Sequence, residues 1–106
     1  MRWLRYYFDE DDTLSYYELG EDGYARRQVE LQGSDRRPVT AAVLDDVLHA
    51  RDHGGIEAVQ AYERKYGVIA EGVLDGWHDI DHVVEISPAE FEHAWTFARR
   101  ALDQGR

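Results

Sequence analysis

The stretch Glu18-Leu19-Gly20-Glu21-Asp22-Gly23-Tyr24-Ala25-Arg26-Arg27-Gln28-Val29-Glu30, "ELGEDGYARRQVE", decides the fold class. Asp-Gly between two runs of strand-favouring residues is the strongest short-range hairpin signal a sequence offers, because glycine accepts the positive φ that tight hairpin turns demand. A two-residue turn at Asp22-Gly23 sets Gly20 against Ala25, Glu18 against Arg27, Tyr16 against Val29 and Leu14 against Leu31. These pairs share one face. Glu18 and Arg27 are then an opposed charge pair at the edge of a hydrophobic surface, with aromatic neighbours able to receive the guanidinium.

Working outward, "RWLRYYF" at residues 2–8 is rich in aromatics and reads as a strand ending at the acidic turn "DEDDT". Residues 14–19 form the second strand and 24–31 the third. After a polar break, "GSDRRP", the segment from Thr40 to His53 places Val43, Leu44, Val47 and Leu48 on one helical stripe, with Thr40 as its cap. Gly54-Gly55 interrupts it. Ile56, Val59, Tyr62 and Tyr66 then recur at helical spacing up to Gly67, in the position of a C-cap. Residues 68–82 hold no sustained period and read as short extended pieces and loop. "VVEI" reads as a short strand. Ser87-Pro88-Ala89-Glu90 supplies an N-cap, a proline at the first helical position and the glutamate of a capping box, so a terminal helix follows with Phe91, Trp95, Ala98 and Leu102 on one stripe. The expected class is α+β, an N-terminal antiparallel sheet of three to four strands packed against two or three helices.

A chain of 106 residues buries roughly 65% of its unfolded surface around one core, so a single compact domain over 1–106 is expected. Acidic side chains number 22 against 12 basic, a formal charge of −10, which repels phosphate backbones and anionic membranes. Neither nucleic acid nor a membrane is an expected partner. A basic protein is. There is no cysteine, which excludes a disulfide framework, a thiolate nucleophile, an iron-sulfur cluster and cysteine-ligated zinc. The N-terminus turns acidic at Asp9 before any signal-peptide core could form, and no apolar run reaches membrane-spanning length, so the expected location is cytoplasmic.

Two patterns stand out together: E-x-x-E-D-G-Y-x-x-R-x-V-E at Glu18 to Glu30, and I-S-x-x-E-F-E-x-x-W at Ile86 to Trp95. The chain thereby resembles a family of small uncharacterised bacterial domains of unknown function, over residues 1–33 and 82–97. The family pattern carries Val where this chain has Arg26. The resemblance implies an N-terminal antiparallel sheet with a C-terminal helix, and it carries over no catalytic residues. Small acidic domains of this kind often serve as immunity or antitoxin proteins, an analogy only.

Other constellations are weaker. Asp46, His49 and His53 share helical spacing that suits metal ligands, but structural zinc needs a fourth and none is apparent. The plainer reading is a solvated helix face. "WHDIDH" gathers His78, Asp79, Asp81 and His82, groups suited to acid-base work near neutral pH, without a nucleophile, phosphate loop or cofactor fingerprint beside them. Trp77 is a core anchor or a binding aromatic. Asp9-Glu10-Asp11-Asp12 either imitates a row of phosphates or is a solvated turn. The aromatic set Trp3, Tyr6, Tyr7, Tyr16 and Tyr17 either packs against helices or lines a pocket. The reading is of a non-enzymatic acidic protein-interaction domain, without cofactor and monomeric or homodimeric, most concretely an immunity- or antitoxin-like inhibitor of a basic toxin. Its contact residues would include Glu18, Arg27, Trp77, His78 and His82. The alternative is a small-ligand domain or modest enzyme using an aromatic pocket with Arg27, His78 or His82.

Overall fold

In the computed structural model, which describes residues 1–70 and 83–104, the chain is α+β. The elements run β1 (Arg2–Phe8), β2 (Thr13–Leu19), β3 (Ala25–Gln32), β4 (Arg37–Val43), α1 (Leu44–Tyr66), β5 (Val83–Glu85) and α2 (Pro88–Asp103). The strands form one antiparallel sheet in the order β4-β3-β2-β1-β5.

The pairings Leu14 with Leu31, Tyr16 with Val29 and Glu18 with Arg27 are those the hairpin arithmetic predicts, but the turn differs. Gly23 donates its N–H to the Gly20 carbonyl and Gly20 donates to the Tyr24 carbonyl, each at 3.0 Å, which closes a three-residue loop with Gly23 at φ 84°. Leu19, not Gly20, therefore faces Ala25, and the ladder skips Arg26 before Glu18 meets Arg27. One extra loop residue and one bulged residue cancel, which is why a two-residue turn predicts the right register from the wrong turn.

The sheet has one strand more than the expected maximum. Residues 37–43, read as a break and the start of a helix, are β4, and Thr40 is no helix cap. It lies inside the strand, buried, donating to Glu30 at 2.7 Å. Alanines at 41 and 42 favour helix locally, but both are completely buried, on opposite faces, Ala42 in the cluster with Val47 of α1 and Ala41 in the cluster with Phe91 and Ala98 of α2. Pro38 is tolerated because β4 is an edge strand and its ladder shifts register beside it. The edge is also covered: the Val43 N–H donates to the Tyr62 hydroxyl at 2.9 Å and the Arg99 Nε donates to the Ala41 carbonyl at 3.0 Å.

Strand alternation sends two apolar sets to opposite faces. Leu4, Leu19, Ala25 and Ala42 pack with Val47 of α1 and with Ile69. Val29, Leu31 and Ala41 pack with Phe91, Ala98 and Leu102 of α2, flanked by Trp3, Tyr16 and Trp95. α1 begins at Leu44, with Val43 as a cap that offers no side-chain hydrogen bond, and it bends at Gly55 (φ 68°, ψ −160°), where the sequence shows its glycine interruption. Gly67 ends it, returning an N–H to the Glu63 carbonyl at 2.8 Å.

At α2 the Ser87 hydroxyl accepts from the Glu90 N–H at 3.1 Å, but the reciprocal half of the expected capping box is not made: the Glu90 carboxylate is taken by Arg5 of β1. A cation on the neighbouring strand outcompetes the neutral backbone donor for that carboxylate.

Candidate functional site

β2 delivers Glu18 and β3 delivers Arg27 to the face that α2 covers. Glu18 is 8% exposed. Arg27 grips it with two parallel bonds, Nε to Oε1 and Nη2 to Oε2, each 2.8 Å, while the Trp3 indole N–H donates to Oε2 at 3.0 Å. From the other side α2 presents Glu92, whose carboxylate also accepts from Arg27, and the rings of Phe91 and Trp95, with centroids 4.9 and 5.0 Å from the guanidinium carbon. The cation is thus enclosed by two carboxylates and two aromatic faces. A carboxylate ligand would have to displace Glu92 to reach it.

The two sequence patterns, one on the hairpin and one on the terminal helix, are the two halves of this contact. Phe91 and Trp95 lie one turn apart on α2 with Glu92 beside them, and all three meet the Arg27 guanidinium. The helical spacing of Phe91 and Trp95 was visible in sequence; the arginine they hold lies 64 or more positions earlier in the chain, beyond any local periodicity.

The electrostatics follow from this geometry. The Arg27 hydrogen bonds hold the Glu18 carboxyl below its ordinary range, against the opposing effect of burial and with help from Trp3. The same pair raises Arg27. A carboxyl whose folded value lies below the unfolded one, about 4.3, adds stability that is fully present above that value and is lost as pH falls through the folded value. Glu18→Gln should therefore flatten the acid limb. Urea midpoints measured from neutral pH down to about pH 2 are expected to converge with those of the unsubstituted protein at the acid end; parallel curves would show that Glu18 carries no such linkage.

A second arginine does related work. Arg99 of α2 lies 3.7 Å from the Tyr66 ring centroid and 4.9 Å from that of Trp95, donates to the Tyr62 hydroxyl at 2.8 Å, and pairs with Asp46 at 3.5 Å. Burial pushes the Tyr62 phenol up to about 12. At the far end of the sheet, Arg36 binds Asp12 and the Gly33 carbonyl, each at 2.9 Å, and Tyr7 donates to Asp12, which fastens the β1–β2 turn to the β3–β4 turn. Asp12 and Arg36 both hold positive φ there, 49° and 52°.

The proposed metal trio does not assemble. Asp46 is held by Tyr62 and Arg99, while the His49 and His53 rings stack on each other at 4.2 Å. Among the described residues no group of three or more His, Cys, Asp or Glu could hold a metal. Trp77, His78 and His82 lie outside the described residues. Of the aromatic set, Trp3 and Tyr16 pack on the α2 side, Tyr17 on the α1 side, Tyr6 stacks on Phe8 at 4.1 Å, and Tyr7 serves Asp12. In the sequence Tyr62, Phe91 and Trp95 stand out only as helical-stripe positions and Glu92 only as a position of the terminal pattern, none of them as a site residue, and Arg99 gives no signal. Among the described residues no buried side-chain polar atom lacks a partner, and no helix is long and apolar enough to cross a membrane.

No protein-family model, no curated protein and no solved structure matches this chain.

Proposed function

We propose that this chain is a non-enzymatic, acidic protein-interaction domain of the cytoplasm, most concretely an immunity- or antitoxin-like inhibitor of a basic protein such as a toxin nuclease. One observation carries the reading. Eight of the twelve basic side chains are engaged in ion pairs within the chain, Arg2 with Glu85, Arg5 with Glu90, Arg26 with Asp22, Arg27 with Glu18 and Glu92, Arg36 with Asp12, Arg51 with Asp52, Lys65 with Asp103 and Arg99 with Asp46. Asp9, Glu10, Asp11, Glu21, Asp35 and Asp45 are exposed and have no ion pair among the described residues. The net charge of −10 is therefore carried by carboxylates that face outward, the arrangement that steers a cationic partner.

The test is co-purification with the products of adjacent genes, followed by binding kinetics. A basic partner is expected whose association slows at least tenfold between about 50 and about 500 mM salt. The triple change Asp9→Asn, Glu10→Gln, Asp11→Asn should slow association while leaving dissociation nearly unchanged. Absence of any such partner, or binding indifferent to salt, overturns the reading.

A further inference from the structure

A groove of about 550 Å³ opens between α1 and the β2–β3 hairpin, away from the Arg27 site. Its floor and walls are apolar: Leu44, Val47 and Leu48 before the bend in α1, Ile56 and Val59 after it. Its rim is charged, with Arg26 and Asp22 on the hairpin and Arg51 on the helix, so the lining carries one net positive charge in a chain whose total is −10. The volume lies within the usual range for small-molecule sites, about 300–1,000 Å³.

Three backbone features converge on it. The β3 ladder skips Arg26 between Ala25 and Arg27, and a bulge of this kind re-aims the side chain it releases. That side chain lies over Gly20, where an added Cβ would sit 2.8 Å from the Arg26 Nε. The bend at Gly55 depends on a backbone conformation open essentially only to glycine. Immediately after it stands Ile56, which lines the groove while 67% exposed.

We propose that this groove binds a small amphipathic anion, an aliphatic or aromatic body ending in a single carboxylate, with the body against Val47, Leu48, Ile56 and Val59 and the carboxylate at the Arg26 and Arg51 rim. Both arginines have only exchangeable partners. Arg26 and Asp22 are 40% and 51% exposed, and Arg51 meets Asp52 at 3.5 Å with both side chains 64% exposed. Exposed ion pairs of this kind hold weakly, so a carboxylate desolvated against an apolar wall can replace them. The arrangement is unlike that of Arg27, whose guanidinium is already enclosed.

Decanoate is the probe, followed by amide chemical shifts and compared with decyltrimethylammonium. Decanoate should give saturable shifts at Val47, Leu48, Ile56 and Val59. The cation of equal chain length should not, although the overall charge of the protein favours it. Joint replacement Arg26→Gln and Arg51→Gln should raise Kd about tenfold, and Ile56→Asp should abolish binding, both with the melting temperature unchanged because these side chains are exposed or at a rim. Four results overturn the proposal: equal affinity for anion and cation, shifts centred elsewhere, no saturation up to about 1 mM, or a dimer that Ile56→Asp dissociates, which would assign the groove to a second copy of the chain.

Discussion

Truncation of Arg27 to alanine is expected to destabilise the fold by about 3–5 kcal/mol, read as a shift in the urea midpoint at neutral pH. The loss comes less from the missing attraction than from what remains. Glu18 is 8% exposed and in contact with the covered face of the sheet, so without Arg27 it is a buried carboxylate supported only by the Trp3 indole, at 3.0 Å. Phe91 and Trp95 lose the guanidinium that lies against their rings, which adds a cavity to the unpaired charge. The double replacement Glu18→Leu with Arg27→Met removes both charges and restores volume, and it is expected to recover most of the loss. A single-variant cost under about 1 kcal/mol would mean that the pair behaves as an exposed one.

Gly67→Ala is the second large effect. Gly67 holds φ 82°, ψ −179°, a conformation open essentially only to glycine and costing other residues about 1–3 kcal/mol. Its added Cβ would also lie 2.4 Å from the Thr40 Oγ1, 2.8 Å from the Val39 carbonyl oxygen and 2.9 Å from the Thr40 Cα. Two of these are backbone atoms of an edge strand stitched to its neighbour, so they cannot swing aside, and overpacking adds about 1–3 kcal/mol more. Gly55→Ala is the control. Its backbone is similar, at φ 68° and ψ −160°, but an added Cβ meets nothing within 4 Å, so it should show the conformational cost alone. Equal losses at the two glycines, in thermal or urea melts, would show that contact with β4 does not constrain Gly67.

The difference between these positions was not visible beforehand. Both glycines read as helix punctuation, and both do punctuate; which one is pressed against a strand depends on where β4 lies, and β4 is the element that local reasoning assigned to a helix. Its residues Ala41 and Ala42 carry no strand preference. They are extended because Thr40 reaches Glu30 across the ladder and because both alanines are completely buried between sheet and helices. Propensity loses to tertiary packing there.

The candidate site divides the same way. The Glu18 and Arg27 register was legible because pairing outward from a turn is arithmetic, and it survived a wrong turn type since the loop and the bulge offset each other. Phe91 and Trp95 were legible as one side of a helix and Glu92 only as a position in the terminal pattern, none of them as the enclosure of an arginine on the sheet. The bulge that frees Arg26, and with it the groove beside α1, left no mark in the sequence beyond a second arginine.

What the sequence by itself determined was whatever neighbouring residues settle among themselves: the hairpin, the glycine bend in α1, the Ser87 cap, the outward surplus of carboxylates and the absence of thiol chemistry. These follow from backbone sterics, periodicity and charge, which act over a few residues or over none in particular. Only the tertiary structure decided that 37–43 is a strand, that Glu90 serves Arg5 instead of its own helix, and that Arg27 is enclosed while Arg26 stands at an open rim. Each of those outcomes depends on partners brought together from distant parts of the chain, where burial sets the cost of an unpaired charge and therefore which pairs form.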